Sequence, residues 1–147
     1  MEDVLDVYEL PYDQMRTVVC MDEKPYQLLG EAREPLPMIP GSDRKTDSEY
    51  TRNGTVSIFA FVEPLGGTHH VSIREHRTAV DWAEEIKYLV DVMYPDAEKF
   101  NTPKHGSWLD LTEIELNVMT RQCLSHRIAD IELLRRELSA WKQSIIQ

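Results

Sequence analysis

The sequence predicts one α/β or α+β domain, a sheet with helices packed against it. Three observations carry that expectation. Short β-branched and apolar runs bounded by turn residues fill the first half, and runs with helical spacing fill the second. A chain of 147 residues suits one domain, and it can bury roughly 68–70% of its unfolded surface.

Composition agrees, since 41% apolar and 29% charged residues describe a globular chain and not a disordered one. Sixteen basic residues against 26 acidic ones leave a net charge of -10. That balance opposes simple attraction to nucleic acid, because affinity for phosphate comes from Lys and Arg. Contact with DNA would need local basic patches, a divalent metal or a separate basic domain. Cys20 and Cys123 belong to no metal-ligand spacing and read as reduced, buried thiols. The expected location is the cytoplasm: the acidic start (Glu2, Asp3, Asp6) does not read as a signal peptide, and the apolar runs are too short for a bilayer.

Residues 1–16 are polar, broken by Pro11, and read as a lead-in. Thr17 to Met21 form a buried-strand signal that exits through Asp22-Glu23-Lys24-Pro25. Alternation puts Asp22 on the same face as Val18 and Cys20. Residues 31–53, with Pro35, Pro37, Pro40 and Gly41, read as a long loop with room for one edge strand. Thr55–Glu63 is apolar on both faces, Pro64 to Gly67 is a turn, and His69–Arg74 alternates, so these segments predict a hairpin. Thr78 is placed as an N-cap, with Asp81 in the capping-box position. Trp82, Ala83, Ile86, Leu89, Val90 and Met93 continue that helix until Pro95 ends it. A second helix is expected over about Leu109 to Cys123, with Leu111, Ile114 and Val118 on one face. A third starts near Asp130, with Ile131, Leu134, Leu138, Trp141 and Ile145 as a core-facing stripe. Between Pro95 and Trp108 only a polar connector is expected, where an α/β fold would normally return to its sheet.

Three acidic positions could carry chemistry: Asp22, Glu113 and Glu115. Two-metal phosphoryl transfer gathers carboxylates at strands and a nearby helix, where they hold Mg²⁺ or Mn²⁺. Glu113 and Glu115 lie about 200° apart around a helix, so only one can face Asp22, and periodicity does not choose between them. His69 and His70 point to opposite faces of a strand, and with His76 they make no zinc pattern. Neither a Gly-rich phosphate loop nor a G-x-S-x-G elbow is present. Lys104, His105, Arg121, His126, Arg127, Arg135 and Arg136 could form a positive strip or ordinary surface.

Two blocks carry a resemblance. Val18 to Pro25 (VVCMDEKP) resembles the first catalytic strand of mariner-like bacterial insertion-sequence transposases, members of the DDE superfamily of endonucleases. Thr102 to Leu124 (TPKHGSWLDLTEIELNVMTRQCL) resembles that family's block around its third catalytic residue, a W-L-N-x-x-E pattern. Trp108 and Leu109 match it, Asp110 replaces the Asn, and Glu113 takes the Glu position. The hairpin Gly54–Thr78 and the helix Asp81–Lys99 also read like this family. The resemblance implies a ribonuclease H-like mixed sheet flanked by helices, and metal-dependent cleavage and joining of DNA at transposon ends. It implies Asp22 and Glu113 as catalytic metal ligands for Mg²⁺ or Mn²⁺, and DNA as partner.

The departures imply degeneracy. The family's second Asp sits on a middle strand, and here Glu98-Lys99 runs almost directly into Thr102-Pro103. Asp81, Asp91 and Asp96 do not fit its role. The Phe100-Asn101-Thr102 junction reads as the scar of an internal deletion that removed a central strand–helix–strand segment. The sequence also reads as lacking the family's helix-turn-helix DNA-binding region. The expectation is therefore a truncated DDE domain over residues 17–147, weak or dead in catalysis. Its alternative is a non-catalytic module that pairs, as a homo- or hetero-oligomer, with an intact transposase through the Ile131–Ile145 stripe.

Overall fold

The structure, a computed structural model, describes residues 5–6, 8–34, 36–43, 45, 47–102 and 111–145. Five strands and three helices follow one another: β1 (Arg16–Val18), β2 (Cys20–Glu31), β3 (Tyr50–Glu63), β4 (Thr68–Arg74), α1 (Ala79–Tyr88), β5 (Lys99–Asn101), α2 (Leu111–Gln122) and α3 (Ile131–Ile145). A π-helical turn, Leu89–Met93, extends α1.

Strands β2, β3 and β4 form an antiparallel meander in that order. Thr55–Glu63 and His69–Arg74 pair as expected, from Ser57 with Arg74 to Val62 with His69. The turn between them uses Gly67 at φ 69°, a conformation that costs glycine little. Strand β1 pairs in parallel with β5, Arg16 beside Lys99 and Val18 beside Asn101. Only Val19 separates β1 from β2, and its N–H donates to the Asn101 carbonyl at 2.9 Å. The strand line therefore reads β5, then β1 continuing into β2, then β3, then β4.

Two expectations are corrected here. The polar connector after Pro95 does return to the sheet, through the three residues of β5. Nor does the first strand exit at Asp22. It runs on to Glu31 because Asp22, Glu23 and Lys24 pair with Ala60, Phe59 and Ile58 of a long central partner. Pro25 is tolerated because beyond β1 this strand is the sheet edge among the described residues.

Each face of the sheet carries its own core. On one, Val56, Ile58 and Ala60 of β3 meet Leu116, Met119, Cys123, Ile128, Leu134, Leu138 and Trp141. Val19 and Phe61 meet Leu89 on the other, with Met21, Trp82, Met93 and Phe100 packed around them. Strand alternation sorts the residues accordingly. Cys20, Asp22, Lys24 and Tyr26 lie on the α2–α3 side, and Met21 and Glu23 on the α1 side.

The capping box at Thr78 and Asp81 forms as the spacing predicts. Helix α2 is rotated from its expected orientation. Thr112, Leu116 and Met119 are buried, while Ile114 is 47% exposed. The set continued by Cys123 and Leu124 offers more contiguous apolar surface than Leu111, Ile114 and Val118, and burial follows the larger set. In α3, Leu134, Leu138 and Trp141 are core residues, whereas Ile145 is exposed. Leu134, Leu138 and Trp141 of that stripe are thus used within the domain.

Among the described residues no helix is long and apolar enough to cross a membrane. Both cysteines are buried and unbridged.

Candidate nucleic-acid-processing site

Asp22 sits mid-strand on the sheet face that α2 covers. One of its carboxylate oxygens accepts the N–H of Glu23 at 2.8 Å. Glu23 itself faces the other way, where its carboxylate lies 3.7 Å from Arg77. Two residues beyond Asp22 on the same face, Lys24 donates from Nζ to the Thr120 hydroxyl of α2 at 2.6 Å. Thr120 in turn donates to the Leu116 carbonyl at 2.7 Å, so its oxygen is oriented to receive Lys24.

This contact settles which flank of α2 faces which strand. Positions seven apart on a helix fall on nearly the same line, so Glu113 shares the flank of Thr120, two turns closer to the helix start. Glu115 occupies the opposite flank, and its carboxylate lies 3.7 Å from Nδ1 of His69 on β4. Glu113 is exposed in the first turn of α2. Trp108, Leu109 and Asp110, the rest of the block that singled out Glu113, lie outside the described residues, as do Lys104 and His105.

Other acidic positions lie elsewhere. Asp81 is engaged by Thr78 and by Arg74 on the α1 side of the sheet. Asp91 belongs to the π-helical turn, and Asp96 is exposed ahead of β5. Among the described residues no three His, Cys, Asp or Glu side chains gather as a metal group, so Asp96 does not complete a triad with Asp22 and Glu113. His69 and His70 diverge as alternation requires: His70 stacks on Phe61 and Tyr88 beside Glu85. Of the candidate positive strip, Arg127 pairs with Glu31 and binds the Asp47 and Glu49 carbonyls, and Arg135 pairs with Glu132.

Two buried carboxylates brace this architecture from the α1 side. Glu85 is 3% exposed and accepts from Arg74 Nε at 2.6 Å. Burial alone would raise its pKa, but the polar hydrogens of His70, Ser72 and Arg74 gathered around it prevail and hold it at about 2. Arg74 also pairs with Glu84. Glu63, at the end of β3, is 3% exposed and accepts the Tyr94 hydroxyl at 2.8 Å. Its carboxyl fills the space that a Cβ on Gly66 would need, at 2.5 Å.

Comparison with solved structures finds the same architecture in the crystal structure of the Mos1 mariner paired end complex with Mn. The TM-score is 0.55 at 14% identity, over 95% of this chain and 52% of that one. The two share a mixed α/β fold, a sheet with helices packed against it. At this identity the likeness concerns the fold alone, and the chain spans about half the length of the one it matches. No family model matches the sequence, and no curated protein does.

The pairing of Lys24 with Thr120 was missed in the sequence. Alternation alone already placed Lys24 beside Asp22 on one face. Nothing in the spacing announced that Thr120 would meet it.

Proposed function

We propose that this chain is a transposase-derived DDE-type domain of the mariner-like bacterial insertion-sequence class, shaped for metal-dependent cleavage and strand transfer of DNA and now degenerate. The observation that carries the reading is the placement of Asp22 on the face covered by α2, with the flank of α2 that bears Glu113 and Thr120 turned toward β2. The shared fold with a mariner transposase complex supports it.

Two carboxylates are hard oxygen donors of the kind Mg²⁺ and Mn²⁺ prefer, and Mg²⁺ in particular is often held by one or two of them. Asp22 and Glu113 would hold the ion. Bound there, it would activate water or a 3′-hydroxyl and stabilise the leaving oxygen. The absence of a third carboxylate among the described residues accords with weak binding and little or no turnover.

The expected result is weak Mn²⁺ binding by calorimetry, lowered by Asp22→Asn and by Glu113→Gln, and no robust strand nicking in Mg²⁺ or Mn²⁺. Robust cutting abolished by Asp22→Ala would overturn the degeneracy. Mn²⁺ binding indifferent to both substitutions would remove the site.

A second reading, a non-catalytic module that pairs with an intact transposase, draws on a different surface from the α3 stripe. Ile86 is 42% exposed on α1, and Val90 and Val92 are 37% and 59% exposed in the π-helical turn that follows. Co-purification with a full-length relative would favour it, and a strictly monomeric species in that relative's presence would exclude it.

A further inference from the structure

We propose that Lys24 is a phosphodiester-binding residue, whose ammonium, held by Thr120 at the seam of β2 and α2, takes a backbone phosphate of DNA lying across Asp22. The proposal rests on the reading of Asp22 and Glu113 given above and adds a residue to that site. An ammonium has three donors, and Thr120 accepts one of them. Among the described residues no carboxylate lies within 4.0 Å of Lys24, although acids outnumber bases by 26 to 16. Here a half-buried ammonium is fixed in place by a neutral hydroxyl, with donors left over for an anion.

The position fits that anion. Lys24 and Asp22 stand on one face with a single residue between them, about 7 Å apart along the strand. A phosphate bridging this distance would set one oxygen against the ammonium while a neighbouring oxygen faces the carboxylate pair and whatever cation it holds. Lysine supplies a compact point charge for such a contact. The Thr120 bond removes side-chain freedom that would otherwise be lost on binding.

The test is fluorescence anisotropy of a labelled DNA duplex across a salt series, with Mn²⁺ present. Lys24→Gln should weaken binding uniformly across sequences and reduce the slope of log K against log salt by about 1. Lys24→Arg should restore the slope. Thr120→Val keeps the charge and loses the acceptor, so affinity should fall with the slope retained; this variant carries the test if Lys24→Gln does not fold. An unchanged slope in folded Lys24→Gln overturns the assignment, as does a failure of the unaltered chain to bind duplex at low salt. Asp22→Asn separates the two readings. If it lowers Mn²⁺ binding while Lys24→Gln leaves the slope alone, the metal site stands and the phosphate contact falls. If Lys24→Gln changes the slope while Mn²⁺ binding ignores Asp22→Asn, the phosphate contact stands and the metal site falls.

Discussion

Glu85→Gln is the perturbation whose size the structure defines best. The Glu85 side chain is 5% exposed and bonded to Arg74, with His70 Nε2 at 3.8 Å. Its folded pKa is held at about 2 against an ordinary 4.5. A displacement of that size corresponds to stabilisation on the order of 3 kcal/mol. The sign follows from proton counting: below 4.5 the unfolded chain binds a proton that the folded chain refuses. The stabilisation is therefore complete above pH 4.5 and disappears as pH falls toward 2. Substitution leaves Arg74 facing a neutral amide while Glu84 and Asp81 still neutralise it, so the loss is that of the Glu85 charge itself. Urea unfolding of both proteins from pH 7 to pH 2.5 measures the difference. We expect a loss of about 3 kcal/mol at pH 7 that narrows steadily below pH 4.5. A loss under about 0.5 kcal/mol at pH 7, or one constant with pH, would refute the claim that the charge of Glu85 fastens α1 to β4.

Other buried contacts of the molecule have measurable consequences. Tyr94→Phe should cost about 1–3 kcal/mol in urea unfolding, since it strips the hydroxyl from buried Glu63. Burial, reinforced by Glu63, raises the Tyr94 pKa, so ultraviolet titration should find a tyrosine that ionises only with unfolding, and stability should decline as pH rises above 10. Leu134→Ala, at a position with 0% exposure, should cost about 2–5 kcal/mol by chemical denaturation. Burial and the nearby Glu137 push the Cys123 thiol up to about 11, so iodoacetamide at pH 8 should leave it unmodified until the protein unfolds.

Local patterns foretold much of this fold. The doubly apolar run Thr55–Glu63, the turn after it and the alternation of His69–Arg74 specified a hairpin, and Thr78 with Asp81 specified a helix start, because these signals act between neighbours in sequence. The contributions of partners were hidden. The first strand extends through the charged residues Asp22 to Lys24 only because β3 supplies a ladder for them. The face of α2 was misjudged because its rotation is set by the sheet and by α3. Strand β5 is three residues with no apolar periodicity, and its existence depends on a parallel neighbour far away in the chain. For the candidate site, the sequence supplied Asp22 and, through resemblance, Glu113. Their relative placement required the cross-element bond of Lys24 to Thr120.

The parallel contact of β1 with β5 has a kinetic consequence. It joins Arg16 to Lys99, so it closes most of the chain into one loop and is held by few bonds. Closing so long a loop costs entropy that a short ladder barely returns, whereas the β3–β4 hairpin repays its closure locally. The closure should come late in folding and reopen first in the native protein. Amide hydrogen exchange at Phe100 and Asn101 should accordingly outrun exchange at Ile58 and Ala60, and equal protection at the two places would show that the molecule opens only as a whole.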